Sequence, residues 1–518
     1  MVKERFLLEN ILENKLKQYF GYSSFQVGQK AIISDVLDGN DVLGILPTGS
    51  GKSMCYQLPA RLLDGTVLVI SPLISLMIDQ VRQLKASGFK EVIAINSFLD
   101  YTEKRSALNY LEKYKLIYVS PEMLQNKKFI NELAKINISL FVIDEAHCIS
   151  QWGHEFRPDY LKLDKVIKKL NRPPVMALSA TATPEVQEDI ITQLECPSMI
   201  KHVFPMDRDN IALTVEKFDN YNEKLEYLTE LLNEIPVPTM IYFSSRNWTE
   251  RAANVLRSTL TNLRVAFYHG GMEQTDRILI QQQFMNNQID VICCTSAFGM
   301  GINKKNVRLV VHFHLPTQME SFIQEIGRAG RDGNSSVSLV LLAPNDDLLP
   351  KRLLETELPN NEQVEMTVRV LKNDLLVNRK NSVNELEITQ QCQLSETQWR
   401  FLQYQFEKHG MMKEGQILEK IADCDRERIQ IIRHIENRNQ LKHYKLSELF
   451  SWVMSDGCRR RNLFSSFQKT INKPKFHCCD RCDFSIKEWT PSIEQKTILS
   501  VHWSEQLRLL FLQGEKNE

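Results

Sequence analysis

The sequence carries no surplus of either charge: 64 Lys and Arg stand against 64 Asp and Glu, a formal net charge of +0. A chain that grips polyanions over its whole surface is thereby excluded, and any nucleic-acid surface must be a local patch. No apolar run approaches the roughly 20 residues needed to span a bilayer, so no membrane partner is expected. The opening stretch "MVKERFLLENILENKLKQYF" is charged and helix-patterned. It is not a basic stub followed by an apolar core, and no signal peptide is expected. Internal repeats and low-complexity tracts are missing too. Cysteine is thinly scattered at Cys55, Cys148, Cys196, Cys293, Cys294, Cys392 and Cys424, as befits reduced, buried residues of a cytosolic protein. Only Cys458, Cys478, Cys479 and Cys482 cluster.

What is present begins with length. At 518 residues the chain outgrows a single hydrophobic core, and roughly three to five structural units are expected. Up to about residue 345, short β-branched runs such as "TVLVISP", "LFVIDE", "VMALSAT", "MIYFSS", "DVICCTS" and "SVSLVLL" alternate with amphipathic helical stretches. That alternation predicts α/β architecture with parallel sheets wound by right-handed crossovers. Some ten strands are many for one sheet. The segment "CPSMIKHVFPMDRDN", with two prolines and little periodicity, divides them into units at 1–205 and 206–345. Strand signals then fade into a helical series over 346–424. A further helical pair follows over roughly 425–457, within a unit at 425–490, and a last helix near 492–513 lies in a tail at 491–518.

The loop "LPTGSGKS", Leu46 to Ser53, follows the apolar "DVLGIL" and precedes a helix. Thr48, Gly49, Ser50 and Gly51 let the backbone curl so that successive N–H groups face a phosphate, with a helix N-terminus behind them. Lys52 would reach the β- and γ-oxygens of ATP, and the Ser53 hydroxyl would take one Mg²⁺ position. Leu46 stands where the strict pattern wants glycine, so this is the shorter variant of the loop. In "FVIDEAHCISQWGHEFRPDY" a strand ends at Asp144 and Glu145, at the carboxyl edge where such sheets bind ligands. Asp144 suits Mg²⁺ as a hard oxygen ligand, and Glu145 is placed to orient an attacking water. In the second α/β unit, "QEIGRAGRDG" sets Arg328 and Arg331 three apart beside Gln324. Permanently charged, bidentate guanidinium can neutralise charge on a transferred phosphoryl group. If loop and arginines sit on different domains, hydrolysis requires a cleft to close, and ATP becomes a motor fuel.

In order along the chain, these pieces resemble a superfamily-two helicase and, in detail, the RecQ family of DNA helicases. "VISPLISLMIDQV", "VSPE", "LSATAT", "IYFSSR", "TSAFGMGINKKNV" and "QEIGRAGRDG" follow in helicase order. The resemblance runs from about residue 8 to 345 and again from about 440 to 483. It implies two tandem RecA-like motor domains. "GYSSFQVGQ" is similar to the adenine-reading motif, with Tyr22 stacking on the base and Gln29 bonding its edge. Arg331 is implied as the arginine finger, and Ser179 and Thr181 as the link from hydrolysis to domain movement. The stretch after Asp-Glu-Ala-His resembles the aromatic-rich loop of RecQ proteins. Its Trp152 and Phe156 can stack on unpaired bases, each such contact worth about 1–3 kcal/mol, while His154 and Arg157 meet phosphate or base. Family members usually carry Arg where Gln26 stands. The missing charge predicts weak ATP affinity that Gln26→Arg strengthens, read as the ATP concentration giving half-maximal turnover.

"DGCRRRNLF" followed by "FHCCDRCDF" resembles the family's zinc module, with thiolates holding Zn²⁺ tetrahedrally. The family's first cysteine of the second group is Phe476 here. Cys478 is the expected substitute, completing Cys458, Cys479 and Cys482, with His477 as rival. Arg459, Arg460 and Arg461 read as a phosphate patch. Between motor and zinc module, "SVNELEITQQCQLSETQWRFLQYQFEKHGMMKEG" has helix-turn-helix character. Ser395 is an N-cap, Trp399, Leu402 and Phe406 share one face, and Gly410 ends the helix. Either a winged-helix-like module or a helical spacer fits, and a β-hairpin at 411–420 separates them. After Cys482 only 36 residues remain, too few for the further domains of larger relatives.

The resemblance implies an ATP-dependent DNA helicase moving 3′ to 5′ on single-stranded DNA, with ATP, Mg²⁺ and Zn²⁺ as cofactors, acting in recombination and repair. Single-stranded and forked DNA, single-strand-binding protein and other repair proteins are the expected partners of a cytoplasmic, nucleoid-associated monomer. Two alternatives stay open. Stimulation of hydrolysis by RNA alone would mark an RNA-directed helicase, and a fork that never separates would mark an ATP-switched scaffold.

Overall fold

The computed structural model describes residues 2–96, 99, 101–150, 157–299, 302, 304–377, 381–468 and 470–491. The first sheet holds β1 (Val42–Ile45), β2 (Thr66–Ile70), β3 (Val92–Ile95), β4 (Leu116–Val119), β5 (Ile138–Ile143), β6 (Val175–Ser179) and β7 (Ile200–Val203). All its pairings are parallel, in the order β3-β4-β2-β5-β6-β1-β7. The second holds β8 (Ile211–Lys217), β9 (Thr239–Tyr242), β10 (Val265–Tyr268), β11 (Val291–Cys294), β12 (Leu309–His312) and β13 (Ser336–Leu342). It too is parallel throughout, ordered β10-β11-β9-β12-β13-β8. The central strands β1, β2, β4, β9, β11 and β12 are buried along their whole length. Continuous apolar runs in the sequence follow from helices covering both faces of a parallel sheet.

The segment read as an interdomain stretch holds strand β7, which pairs with β1 at the sheet edge. Its alternating half-buried and exposed residues, Lys201 and His202 among them, carry no apolar run to reveal it. Strand order does the functional work. β5, β6 and β1 are neighbours, with Ile45 opposite Ser179 and Ile143 opposite Ala177. Loops leaving these three strands therefore emerge side by side.

Beyond the sheets, the helices Leu348–Glu357 and Asn361–Leu376 lead to a small unit with its own core of Val364, Leu371, Ile388, Trp399, Leu402, Phe406 and Met411. After Asn361–Leu376 come the helices Glu385–Gln391 and Glu396–Lys408. A hairpin of β14 (Met412–Lys413) and β15 (Gln416–Ile417) then turns at Glu414 and Gly415. Ser382 adds an antiparallel bridge to Gln416. Three helices with a hairpin and one isolated bridge form a winged-helix-like arrangement, so the bare spacer is set aside. Ser395 caps its helix through the Gln398 N–H, and Gly410 follows the helix end with a φ of 72°. The unit reaches back to the first sheet's lobe through Lys162–Glu407 at 2.9 Å and Lys127–Glu414 at 2.7 Å.

The pair of helices expected over 425–457 is a single 30-residue helix, Asp425–Met454. No glycine or proline interrupts it, so nothing in the backbone stops its propagation. At about 1.5 Å per residue it runs roughly 45 Å. It passes behind the helix Met319–Ile326, with Trp452 at 4.9 Å from the Phe322 ring and Lys445 at 2.6 Å from Glu320. The tail helix expected near 492–513 lies outside the described residues.

Candidate active site

The loop after β1 turns through Gly49 (φ 82°) and Gly51 (φ 68°), left-handed positions that favour glycine. Gln29 braces it: its amide donates to the Ser50 and Gly51 carbonyls at 2.8 and 3.0 Å and accepts the Gln26 N–H at 2.9 Å. Gln29 is thus bonded to the phosphate loop itself, while the Tyr22 ring is exposed nearby in sequence. The helix Met54–Leu62 starts immediately after Ser53, so its positive N-terminal end faces the loop.

β5 delivers Asp144 and Glu145 opposite this loop. Lys52 Nζ lies 3.9 Å from Glu145 Oε1, and both side chains are largely buried. Glu145 takes a left-handed backbone conformation (φ 50°). That is uncommon for a residue with a Cβ, and such strain clusters at functional positions. Burial, and secondarily the Glu145 carboxylate, push the Asp144 carboxyl up to about 7, with Lys52 opposing. An Mg²⁺ ion would relieve this, since a dication favours the charged carboxylate. The His147 imidazole is buried and driven down to about 3, hence neutral at physiological pH. It meets Ser179 Oγ at 2.9 Å, and Ser179 Oγ bonds Thr181 through the backbone on both sides at 3.3 Å. The end of β5 and the end of β6 are thereby joined in one buried hydrogen-bond chain.

Trp152, His154 and Phe156 lie outside the described residues. Their flanks are described. The Arg157 N–H donates to the Cys148 carbonyl at 3.0 Å, and its guanidinium donates to the Pro72 carbonyl at 3.0 Å. Tyr160, fully buried, donates its hydroxyl to the Asp144 carbonyl at 3.3 Å. Arg157 and Tyr160 are therefore held against the strand end that bears Asp144.

The second sheet brings its arginine turn onto the phosphate loop. A Cβ at Gly327 would overlap the Thr48 hydroxyl, so glycine is required by close approach. A Cβ at Gly49 would lie 3.1 Å from Arg331 Cγ. Arg331 donates to the Ile302 carbonyl at 2.6 Å, and Arg328 to the Gly299 carbonyl. Burial, then the neighbouring charges of Arg328 and Arg208, bring the Arg331 guanidinium down to about 9. Gln324 is buried on the helix Met319–Ile326 that leads into this turn. Lys52 and Glu145 of the first lobe and the turn bearing Arg328 and Arg331 of the second thus meet around the phosphate loop. Arg208 joins them, and no sequence signal singled it out, since "DRDN" has neither motif spacing nor periodicity.

The four cysteine sulfurs Cys458, Cys478, Cys479 and Cys482 lie within 4.8 Å of one another. Tetrahedral zinc with arms of about 2.3 Å needs sulfur–sulfur edges of about 3.8 Å. Cys458 and Cys478 stand 3.7 Å apart, and Cys479 and Cys482 3.5 Å. This donor set fits a structural zinc ion. The His477 ring instead packs on Phe484 at 5.1 Å. The arginine patch is corrected. Arg459 forms a bidentate pair with Asp480 at 2.6 and 2.9 Å, Arg460 pairs with Asp207, and both are almost fully buried. Only Arg461 is exposed, because consecutive helical residues point in different directions.

Residues 26–190 match the DEAD/DEAH box helicase family and residues 223–333 the helicase conserved C-terminal domain. A Bacillus subtilis (strain 168) protein named "Probable ATP-dependent DNA helicase RecS" is 41% identical over 503 residues, 96% of this chain and 98% of that one. The ATP-dependent DNA helicase RecQ of Haemophilus influenzae is 43% identical over 69% of this chain and 58% of its own length. Among solved structures, Mycobacterium smegmatis helicase Lhr bound to ssDNA and AMP-PNP superposes with a TM-score of 0.54 at 19% identity, covering 74% of this chain and 55% of Lhr. That likeness is one of fold. The match to RecS spans nearly both whole chains, and the two helicase matches follow one another along the two lobes. The chain belongs to the RecQ family of ATP-dependent DNA helicases.

Proposed function

We propose that this helicase translocates 3′ to 5′ on single-stranded DNA and separates forked duplexes, in recombination and repair. ATP binds with its adenine against Tyr22 and Gln29 and its phosphates on Thr48 to Ser53. Lys52 holds the β- and γ-oxygens, Ser53 and Asp144 hold Mg²⁺, and Glu145 orients the attacking water. Arg331, with Arg328 and Gln324 beside it, completes the site from the second lobe. Each ATP closes the cleft and product release reopens it, moving the grip along the strand. One observation carries this reading: the arginine turn of one lobe is in contact with the phosphate loop of the other.

Trp152, His154, Phe156 and Arg157 sense the occupied strand, and Tyr160 and Ser179 transmit that state to Asp144 and His147. Zn²⁺ on Cys458, Cys478, Cys479 and Cys482 staples the C-terminal unit as a redox-inert structural ion. The units run 1–205, 206–345, 346–424, 425–490 and 491–518. Single-strand-binding and repair proteins are the partners, in a cytoplasmic, nucleoid-associated setting. No described helix is long and apolar enough to cross a membrane.

The test is unwinding of tailed, forked and four-way DNA by wild type and Lys52→Ala. Wild type is expected to open forks bearing a 3′ single-stranded tail, while the variant opens none. Equal opening of 5′-tailed substrates would refute the polarity, and activity in Lys52→Ala would refute the site.

A further inference from the structure

The segment Asp207–Asn210 connects the two sheets, yet it carries a half-buried cation whose role goes beyond linking. Arg208 directs its guanidinium at both lobes at once. Nη1 donates to the Thr48 carbonyl of the phosphate loop at 3.0 Å and to the Gly327 carbonyl at 3.4 Å, and Nη2 donates to the Gly330 carbonyl at 2.7 Å. Gly327 immediately precedes Arg328, and Gly330 immediately precedes Arg331. The two carbonyls therefore set the peptide planes from which both arginines of the site project. Asn210 reinforces the same turn, donating to the Gly330 and Asn334 carbonyls at 2.8 Å each.

The segment is itself rigidly held. Arg460, two residues after Cys458, pairs with Asp207 and donates to the Arg208 and Ile211 carbonyls. Gln468 accepts the Met206 N–H at 2.7 Å, Asn472 bonds Asp207 twice at 3.1 Å, and the Lys475 N–H donates to the Asp209 carbonyl at 2.8 Å. Arg208 thus rises from a platform made by the cysteine-bearing module and ends between the two halves of the nucleotide site.

We infer that Arg208 is a positioning residue for ATP hydrolysis, fixing the arginine turn of the second lobe at the phosphate loop of the first. The inference rests on the reading of Lys52 and Arg331 as ATP-site residues. Guanidinium suits this task and ammonium does not, because a planar fork can reach three carbonyls in one geometry. Misplacing a catalytic group by about 1 Å costs on the order of a hundredfold in rate. Phosphate binding on the first lobe, by contrast, needs only the loop and Lys52. Removing Arg208 should therefore depress turnover and spare nucleotide affinity.

The experiment compares full-length wild type, Arg208→Ala, Arg208→Lys and Lys52→Ala in steady-state ATP hydrolysis with saturating single-stranded DNA, together with equilibrium binding of Mg-ADP. Arg208→Ala is expected to lower kcat by about 10- to 100-fold with ADP affinity kept within about threefold, and Arg208→Lys to recover part of the loss. A kcat for Arg208→Ala within about threefold of wild type overturns the inference. So does a loss of ADP affinity as large as the loss of kcat, which would mark general damage to the fold. If Arg208→Ala does not fold, Arg208→Lys decides: reduced kcat with normal ADP affinity supports the role, and wild-type turnover overturns it. Lys52→Ala separates the two readings. Normal hydrolysis in that variant sinks the assignment of the site, whereas inactivity there beside normal Arg208→Ala sinks the Arg208 role alone.

Discussion

Replacing Arg331 by alanine is expected to cut DNA-stimulated ATP turnover by about a thousandfold or more, the range that an arginine finger supplies in phosphoryl transfer. The physical ground is location. The Arg331 stem rests on Gly49 of the phosphate loop, and its guanidinium is buried beside Arg328 and Arg208. Clustered guanidinium groups in low dielectric favour an anion, and in the proposed site that anion is the charge developing on a γ-phosphoryl group. Such an interaction strengthens in the transition state and raises kcat rather than affinity. Steady-state hydrolysis and ADP binding measure the two separately. ADP affinity should stay within about threefold, and a variant that keeps wild-type turnover would remove Arg331 from the chemistry.

The largest expected effect on stability belongs to Arg460→Ala. Arg460 and Asp207 are 2% and 3% exposed and pair across 253 residues of sequence. Burial outweighs the guanidinium and holds the Asp207 carboxyl above the usual carboxylate range, as happens when desolvation nearly cancels Coulomb attraction. Removing one partner leaves an uncompensated buried charge at a cost of about 3–5 kcal/mol. Removing both, as in Arg460→Met with Asp207→Asn, should cost markedly less, because no orphan ion remains. Urea denaturation of the two single variants and the double variant measures this as a double-mutant cycle. Additive losses would show that the two residues act independently.

Legibility in the sequence followed the range of the forces involved. The phosphate loop, the Asp-Glu pair, the Ser395 cap and the Gly410 stop are local devices, each set by residues a few positions apart, and they could be read directly. Strand β7 could not, because an edge strand buries only alternate residues and leaves no apolar run. The helix Asp425–Met454 was read as a pair, though its sequence holds no breaker. The arginines after Cys458 looked like a basic patch, since charge alone does not reveal which way a helical side chain points. Spacing favours Cys478 with His477 as its rival, and the backbone path turns the Cys478 sulfur into the cluster and the His477 ring onto Phe484.

By itself, then, the amino-acid order determined the α/β class, the loop that cradles phosphate, the carboxylates at a strand end and the four-cysteine group, because short-range sterics and hydrogen bonding decide those features. Tertiary structure alone decided that β5, β6 and β1 lie side by side, that Gly327 meets Thr48, and that Arg208 and Arg460 link the cysteine module to the nucleotide cleft. Those contacts join residues scores to hundreds of positions apart. Their partners are selected by the packing of whole sheets and helices, which no local pattern encodes.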